Sequence, residues 1–437
     1  MNRHTPLCFL LLVTLLLSGC SSRIDISNAQ SQYLNSNYSQ AFLDLEQQAP
    51  SVLKAQGPII LNYDLGMLAR LNKAYKDSNN YLSESERLIR EAYTQSITAN
   101  VASFIVNDNT KAYTGEDYED IYLNVFKALN YLHQGEEESA LVELNRSIEK
   151  QAFLKQKYEK QVEQVASYRE KQGLGSVEGQ SYASSFSTSA LANYLSAVVA
   201  EGMGEENTRY YAMNQVRHAF ASQPALYAFP LPSTAAEDPQ KVESGMGRLH
   251  VVGFTGQAPL KEERVESIYV SYANRAKIAY PVLVGRPSQV QAIEVSVDGN
   301  RVQRLERIES IKDIAIDTFR ATSELAKLKA VTRAMAKAIG IAAYDAAALE
   351  DNQVTAAEEL LGWIFRIARD VSESADVRST HFLPSEAWVG YLDLQPGTYT
   401  VELSFLNASG RVLHQEILPN QVVRKNGVNL AESFCPY

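Results

Sequence analysis

The stretch YLNVFKALNYLHQGEEESALVELNRSI, Tyr122 to Ile148, decides the architecture of the first half of the chain. Its apolar residues recur three and four positions apart on both sides of Gly135, so the pattern predicts two helices joined by a tight turn. Ala140 is small enough to let the two helices touch closely, and Leu144 and Ser147 fall on the same helical face. The stretch therefore predicts a helical hairpin.

Three further stretches repeat this pattern along the chain. Their spacing is close to the period of tetratricopeptide repeats, about 34 residues. Four copies in order predict a tetratricopeptide-like helical array over residues 28–228, with an irregular helical bundle as the alternative. The copies are marked by Tyr38, Ala41 and Leu45, by a turn at Asn79-Asn80-Tyr81 in a degenerate copy, and, after a longer turn, by Ala212, Val216 and Ala219 before Pro224.

An apolar stripe continues beyond the clearest copy. Leu154, Tyr158, Val162 and Val165 are spaced three or four residues apart, amid Lys, Glu and Gln. The spacing predicts a helix longer than a repeat needs, with one narrow face against a partner helix. A solvated arm is the alternative.

The second half of the chain changes in composition to short β-prone runs. Asp298-Gly299 lies between two such runs and predicts a β-hairpin. Regular turns about ten residues apart predict a β-sandwich-like domain over residues 229–310 and 376–437. Residues 311–375 have a helical apolar period and predict an inserted helical hairpin. The predicted fold class is therefore α+β.

The N-terminus has the pattern of a lipoprotein signal peptide over residues 1–19. The sequence Leu17-Ser18-Gly19-Cys20 matches the bacterial lipobox, which predicts cleavage between Gly19 and Cys20 and acylation of the Cys20 sulfur. Two or more acyl chains give stable membrane anchoring. Residues 20–27 would form a short lipidated tether, and an ordinary signal peptide is the alternative.

Location and charge limit the classes of partner. Similarity to Gram-negative lipoproteins favours the periplasmic face of the outer membrane, because Ser21 stands where inner-membrane retention usually needs Asp. The net charge of −10 argues against nucleic-acid binding, which needs a basic surface.

Cys435 would be the last unmodified cysteine of the mature chain. We expect Cys435 to have no functional role and to lie near a frayed end of the chain. A disulfide between two chains is the alternative.

Four segments of the sequence resemble the signature blocks of a family of bacterial lipoproteins with a tetratricopeptide-like N-terminal half. The resemblance covers nearly the whole mature chain, and it implies architecture rather than activity, because the family has no established enzymatic activity. Ser379 departs from the family, which usually has Trp there. The segments are Gly245 to Glu263, Gly285 to Val290, Asp376 to Pro384 and Leu394 to Leu403.

Motifs for catalysis are absent from the sequence. There is no phosphate loop, nucleophile elbow or zincin motif, and the six histidines lack metal-ligand spacing. We therefore expect no catalytic residue, metal ligand or cofactor. Asp376 and Arg378 are expected to form a structural ion pair rather than a ligand-binding pair. Gly245 and Gly247 are expected to permit close backbone approach before a strand.

Three functions follow from these observations. The first is a non-enzymatic, lipid-tethered periplasmic scaffold or adaptor, whose helical array binds a protein of an envelope assembly and whose β-rich half adds a second docking surface. The second is a ligand-binding or carrier lipoprotein that holds a glycan or a lipid in a cleft between the two halves. An enzyme built from residues distant in sequence is the third.

Overall fold

The computed structural model describes residues 24–98, 113–171, 184–236, 242–269, 275–350 and 375–437. Within these ranges the fold is α+β, as predicted, with helices in the first half and sheets in the second. The helices are α1 (Ser27–Leu34), α2 (Tyr38–Gln47), α3 (Ala49–Ala55), α4 (Pro58–Leu71), α5 (Tyr75–Thr98), α6 (Asp117–Gln134), α7 (Glu137–Lys171), α8 (Ala190–Met203), α9 (Glu206–Ser222) and α10 (Ile311–Glu350), with a 3-10 helix at Ser233–Ala235.

Two-residue and three-residue connections pair α1 with α2, α4 with α5, α6 with α7 and α8 with α9. Gly135 and Gly204 end α6 and α8 with a φ of 74°, a left-handed conformation that glycine adopts without a steric penalty. Ala140 and Leu144 are fully buried, as the hairpin prediction requires. The prediction of a longer turn before Ala212 is wrong, because Gly204 makes a tight one.

The turn predicted at Asn79-Asn80-Tyr81 is also wrong. These residues lie inside α5, and the chain turns at residues 72–74, where Lys73 has a φ of 62°. The polar side chains that looked like a turn have a buried partner instead. The Asn130 side-chain amide on α6 donates to Oδ1 of the Asn79 side chain and to the Ser78 hydroxyl, at 2.8 Å each.

The long helix predicted after the clearest copy is confirmed. Leu154, Tyr158 and Val165 are buried, and Val165 packs with Leu325 of α10. The Tyr158 hydroxyl donates to the Thr318 carbonyl of α10 at 3.0 Å. The partner helix therefore comes from the second half of the chain.

Within the described residues, the strands form two four-stranded sheets and one two-stranded ribbon. The first sheet has the order β10-β1-β7-β6, with β1 parallel to β10, and the second has the order β5-β4-β8-β9. The Asp298-Gly299 hairpin is confirmed between β4 and β5. The strands are β1 (Gly247–Thr255), β2 (Gln257–Tyr269), β3 (Arg275–Arg286), β4 (Ala292–Val297), β5 (Asn300–Arg304), β6 (Glu306–Ser310), β7 (Glu386–Leu394), β8 (Gly397–Leu406), β9 (Val412–Val423) and β10 (Asn429–Cys435).

Strand β1 is buried on both faces and separates the two largest apolar clusters of the described residues. Val252 and Phe254 belong to the cluster shared with the helices, whereas Leu249 and Val251 belong to the cluster shared with the second sheet. This separation follows from the alternation of side chains along a strand. The helical half and the first sheet therefore share one apolar core.

The first sheet fills the inner face of the helical array. Phe126 of α6 lies 5.4 Å from Phe254 of β1, measured between ring centroids. Tyr194 of α8 hydrogen-bonds His250 of β1 at 3.2 Å. Most residues of α4, α6 and α8 are buried as a result.

Two predictions at the ends of the β-rich half have different outcomes. Helix α10 supplies the first arm of the predicted insertion, while the second arm lies outside the described residues. Cys435 is not at a frayed end, because β10 pairs along its whole length with β1 and the thiol is fully buried in the core between the sheets. Burial raises the pKa of this thiol to about 11. No helix within the described ranges is both long and apolar enough to cross a membrane.

Candidate functional site

Two of the four site residues predicted from the sequence are described by the structure, and two are not. Gly19 and Cys20 lie outside the described residues. Asp376 and Arg378 are brought together: Arg378 Nε lies 2.8 Å from Asp376 Oδ1, and Arg378 Nη2 lies 2.7 Å from Asp376 Oδ2. This two-point pair fixes the chain as it enters the segment that precedes β7.

The residues after this pair bind to the helical array. The Thr380 amide and hydroxyl donate to Glu119 of α6 at 2.8 and 2.9 Å. The His381 amide donates to Asp64 of α4 at 2.9 Å. Segment 376–384 therefore joins the two halves.

Strand β2 makes an equivalent contact with the helical half. Lys261 of β2 forms a buried ion pair with Glu116, the residue that caps α6, and its ammonium lies 4.9 Å from the Tyr113 ring centroid. Burial, opposed by the positive charge of Lys261, raises the pKa of Glu116 to about 7. The pair is enclosed by protein and has an anchoring role.

Glu309 of β6 is a buried carboxylate that bonds the two halves to each other. It accepts hydrogen bonds from the Tyr122 hydroxyl at 2.6 Å and the Tyr227 hydroxyl at 2.8 Å. The Ser189 hydroxyl and the Leu191 amide, at the start of α8, donate to it at 2.8 and 3.1 Å. Burial raises the pKa of Glu309. Because these protein donors surround both oxygens, we assign Glu309 to structure rather than catalysis.

An open groove lies at the edge between the helical array and the first sheet, with a volume of about 810 Å³. It is built by the end of α8, the start of α9, residues 242–248 with His250, and loop 425–428. This volume lies within the range of small-ligand sites, about 300–1,000 Å³. We refer to it as the edge groove.

Glycines allow the walls of the edge groove to come together. A Cβ atom on Gly202 would lie 2.5 Å from Val428 Cγ2 and 2.8 Å from the Val428 nitrogen. Gly245 and Gly427 have φ values of 91° and 83°, a backbone conformation that residues with a side chain rarely adopt. The expected close backbone approach is confirmed at Gly247, where a Cβ atom would overlap the Arg424 carbonyl oxygen, and is wrong at Gly245, where no atom lies within 4 Å of the Cβ position.

Arg248 and His250 of β1 form the inner polar wall of the edge groove. The Arg248 guanidinium makes two hydrogen bonds of 2.8 Å to Asp393 and lies 3.8 Å from the Tyr391 ring centroid. Glu201 of α8 lies 3.6 Å from both Arg248 and His250. Burial would raise the pKa of Glu201, but the hydrogen-bonding and charge of His250 and the charge of Arg248 hold it below its usual value.

Sequence reasoning did not find this site. Glu201, Arg248 and Lys425 are far apart in sequence, and the segments that carry them meet only because β1 pairs with β10 next to the end of α8. The one available signal was the pair Gly245 and Gly247, interpreted as a place of close backbone approach.

Comparison of the chain with protein-family models, curated proteins and solved structures finds no match. Among the described residues, no group of three or more His, Cys, Asp or Glu side chains is placed to hold a metal ion. The site's chemistry therefore has to be inferred from its own geometry. That geometry offers hydrogen-bond donors and acceptors around an open volume, which suits binding.

Proposed function

We propose that this protein is a non-enzymatic lipoprotein, anchored through acylated Cys20 at the periplasmic face of the outer membrane, that binds a ligand in the edge groove. The helical array is interpreted as tetratricopeptide-like, and the two four-stranded sheets, which share an apolar cluster, as sandwich-like. The lipobox sequence Leu17-Ser18-Gly19-Cys20 supports the anchoring.

The observation that carries the ligand-binding proposal is that the inner face of the array is already occupied. A partner protein was expected on this face, where α4, α6 and α8 are instead covered by the first sheet. Opening that face would expose apolar core and break the hydrogen bonds to Glu309. The edge groove, in contrast, is an open volume between the halves, as the carrier hypothesis requires.

A blocking substitution tests the ligand-binding proposal. Ser244 is exposed and lines the groove, so Ser244→Trp should fill part of it without disturbing the core. We expect native mass spectrometry of protein gently purified from cells to show a retained small molecule in the wild type and a reduced amount in this variant.

Ser83 provides the matched control. It is exposed on α5, away from the groove, so Ser83→Trp should retain the molecule as the wild type does. Absence of any bound molecule from the wild type, or equal retention in Ser244→Trp, would contradict the proposal.

A second candidate function, the adaptor, is favoured by one separate feature. The ribbon β2–β3 packs on α10 through Ile278 and Tyr280, which contact Ala330 and Ala334. In the described part of the chain no third strand pairs with this ribbon, so its outer edges can accept a strand from a partner.

In-cell photocrosslinking tests the adaptor candidate. A photoreactive residue at Val265, 55% exposed on β2, should capture one discrete protein if the ribbon is a docking edge. The same residue at Leu43, 45% exposed on α2, is the control position. Identical adducts at both positions, or none at Val265, would count against the adaptor.

A further inference from the structure

The edge groove is polar but has no charge excess. Its lining has three basic side chains, Arg209, Arg248 and Lys425, and three acidic ones, Glu201, Glu206 and Glu243. A phosphate-rich or polyanionic ligand is favoured by a site with excess positive charge, which this lining lacks. A neutral ligand with many hydroxyl groups can use both the donors and the acceptors.

An acyl chain is a poor match for the same lining. Charged side chains that lose water without gaining a polar partner are destabilised, and a hydrocarbon offers no such partner. Arg209 already pairs with Glu206 at 2.9 Å, and Glu201 lies near two basic groups, so hydroxyls could bridge these side chains without displacing them. The lining therefore favours the glycan over the lipid among the two expected ligand classes.

An exposed aromatic ring lies on α9, the helix whose first turns line the groove. Tyr210 is 63% exposed and follows the groove residue Glu206 by four positions on α9, so both lie on one helical face. A tyrosine ring offers an apolar face with a polar tip, and the C–H face of a sugar ring packs on such a surface. Tyr211, 65% exposed, points about 100° away around the helix.

The groove is also distant from the predicted membrane tether. Loop 425–428 leads directly into β10, and Phe434 near the other end of that strand lies 5.7 Å from Tyr33 of α1, between ring centroids. Seven strand residues span about 20 Å at roughly 3.3 Å each. The groove is therefore separated by about the length of β10 from α1, the helix that follows the predicted tether.

From these observations we propose that the edge groove binds a neutral, hydroxylated glycan segment, with one sugar ring stacked on Tyr210. Glu201, Glu206 and Arg209 would bind its hydroxyls. This inference rests on the proposed ligand-binding function and specifies the ligand class.

Isothermal titration of the full-length protein in detergent, with chitotetraose, cellotetraose and maltotetraose as probes, tests the inference. At least one of these neutral oligosaccharides should bind. Tyr210→Ala should weaken that binding by about tenfold or more, the effect of truncating an aromatic anchor. Tyr211→Ala, equally exposed on the same helix, is the matched control and should change affinity by less than about twofold.

Three results would overturn the glycan assignment: no binding of any of the three oligosaccharides at millimolar concentration, equal losses in both tyrosine variants, or tighter binding of dodecylphosphocholine or tripolyphosphate. The native mass spectrometry experiment with Ser244→Trp distinguishes failure of the glycan assignment from failure of the ligand-binding proposal. If the wild type retains a molecule that is not a sugar and Ser244→Trp loses it, ligand binding stands and only the glycan class is wrong.

Discussion

Glu309 has no exposed surface, and four donor groups from the helical half surround its carboxylate. Glu309→Ala would leave those buried donors unpaired, and each such group carries a desolvation cost. We expect the free energy of unfolding to fall by about 3–5 kcal/mol, as when one member of a buried polar network is removed. Urea unfolding measures this loss.

Glu309→Gln should lose less, because one amide oxygen still accepts. Glu262→Ala, exposed on β2, is the control and should change the free energy of unfolding by less than about 0.5 kcal/mol. Similar effects for Glu309→Ala and Glu262→Ala would show that Glu309 does not join the halves.

The ionisation of Glu432 in β10 is expected to make the free energy of unfolding sensitive to acid. Burial would raise its pKa, but the charge of Arg70 and the hydrogen-bonding and charge of His133 lower it to about 2. An unfolded glutamate titrates near 4.3, so Glu432 contributes stability above that pH and the contribution is lost as the pH falls through about 2. Glu432→Gln should be less stable than the wild type at pH 7, and the gap should be about 2 kcal/mol smaller at pH 3.

Urea unfolding of both proteins at the two pH values gives the gap directly. Glu262→Gln should follow the wild type in parallel at both values, because that side chain is exposed. A gap between Glu432→Gln and wild type that stays constant from pH 7 to pH 3 would mean that the Arg70–Glu432 pair does not hold the carboxylate ionised.

At the scale of elements, Gly247 sets how closely β1 approaches the loop before β10. A Cβ atom there would overlap the carbonyl oxygen of Arg424, a backbone atom that cannot move alone. We expect Gly247→Ala to lower the free energy of unfolding by about 1–3 kcal/mol, the usual cost of overpacking. Thermal and urea unfolding measure it.

Gly285→Ala is the matched control. The nearest atom to its Cβ would be Lys312 Cδ at 3.6 Å, an ordinary contact, so stability should change by less than about 0.5 kcal/mol. Equal stabilities for the two variants would show that loop 424–428 can shift away from β1 without a loss of stability and does not constrain this strand.

The elements that the sequence predicted best are those with a strong local signal. The stripe from Leu154 to Val165 predicted a long helix with a partner, and Asp298-Gly299 predicted a hairpin, because periodicity and turn chemistry act within a few residues. The turn assigned to Asn79 failed because its amide bonds Asn130, which lies 51 residues later in the chain. Buried polar pairs of this kind look like solvated turns until the tertiary contact is known.

The edge groove could not be predicted from local sequence patterns, because it also depends on tertiary contacts. Glu201 and Arg248 are separated by two elements, and their approach depends on how α8 packs on β1. Asp376 and Arg378 were found because they are neighbours in sequence. What the sequence lacked was the pairing of β1 with β10, a parallel contact between segments about 180 residues apart.

At the scale of the whole molecule, the body is fixed close to its predicted anchor. Ile26 is 3% exposed in the main apolar cluster, and Ile24 packs against it, so the folded body begins four residues after Cys20. Four extended residues reach about 14 Å. Because the contacts of α1 are made to the protein itself, such as Tyr33 to Phe382 at 5.0 Å, folding should not require the lipid.

Cys20→Ser tests both parts of this description. Without the sulfur that is proposed to carry the lipid, the protein should leave the membrane fraction, and its mass should show no added hydrocarbon. Its thermal midpoint should stay within a few degrees of the detergent-solubilised wild type, because a change of about 1 kcal/mol shifts a protein of this size by only a few degrees. Ser22→Ala, which keeps the lipobox intact, should remain membrane-bound. If Cys20→Ser still fractionates with outer-membrane vesicles, the anchor is not the acylated cysteine; if it is released but unfolded, α1 depends on the membrane for its packing.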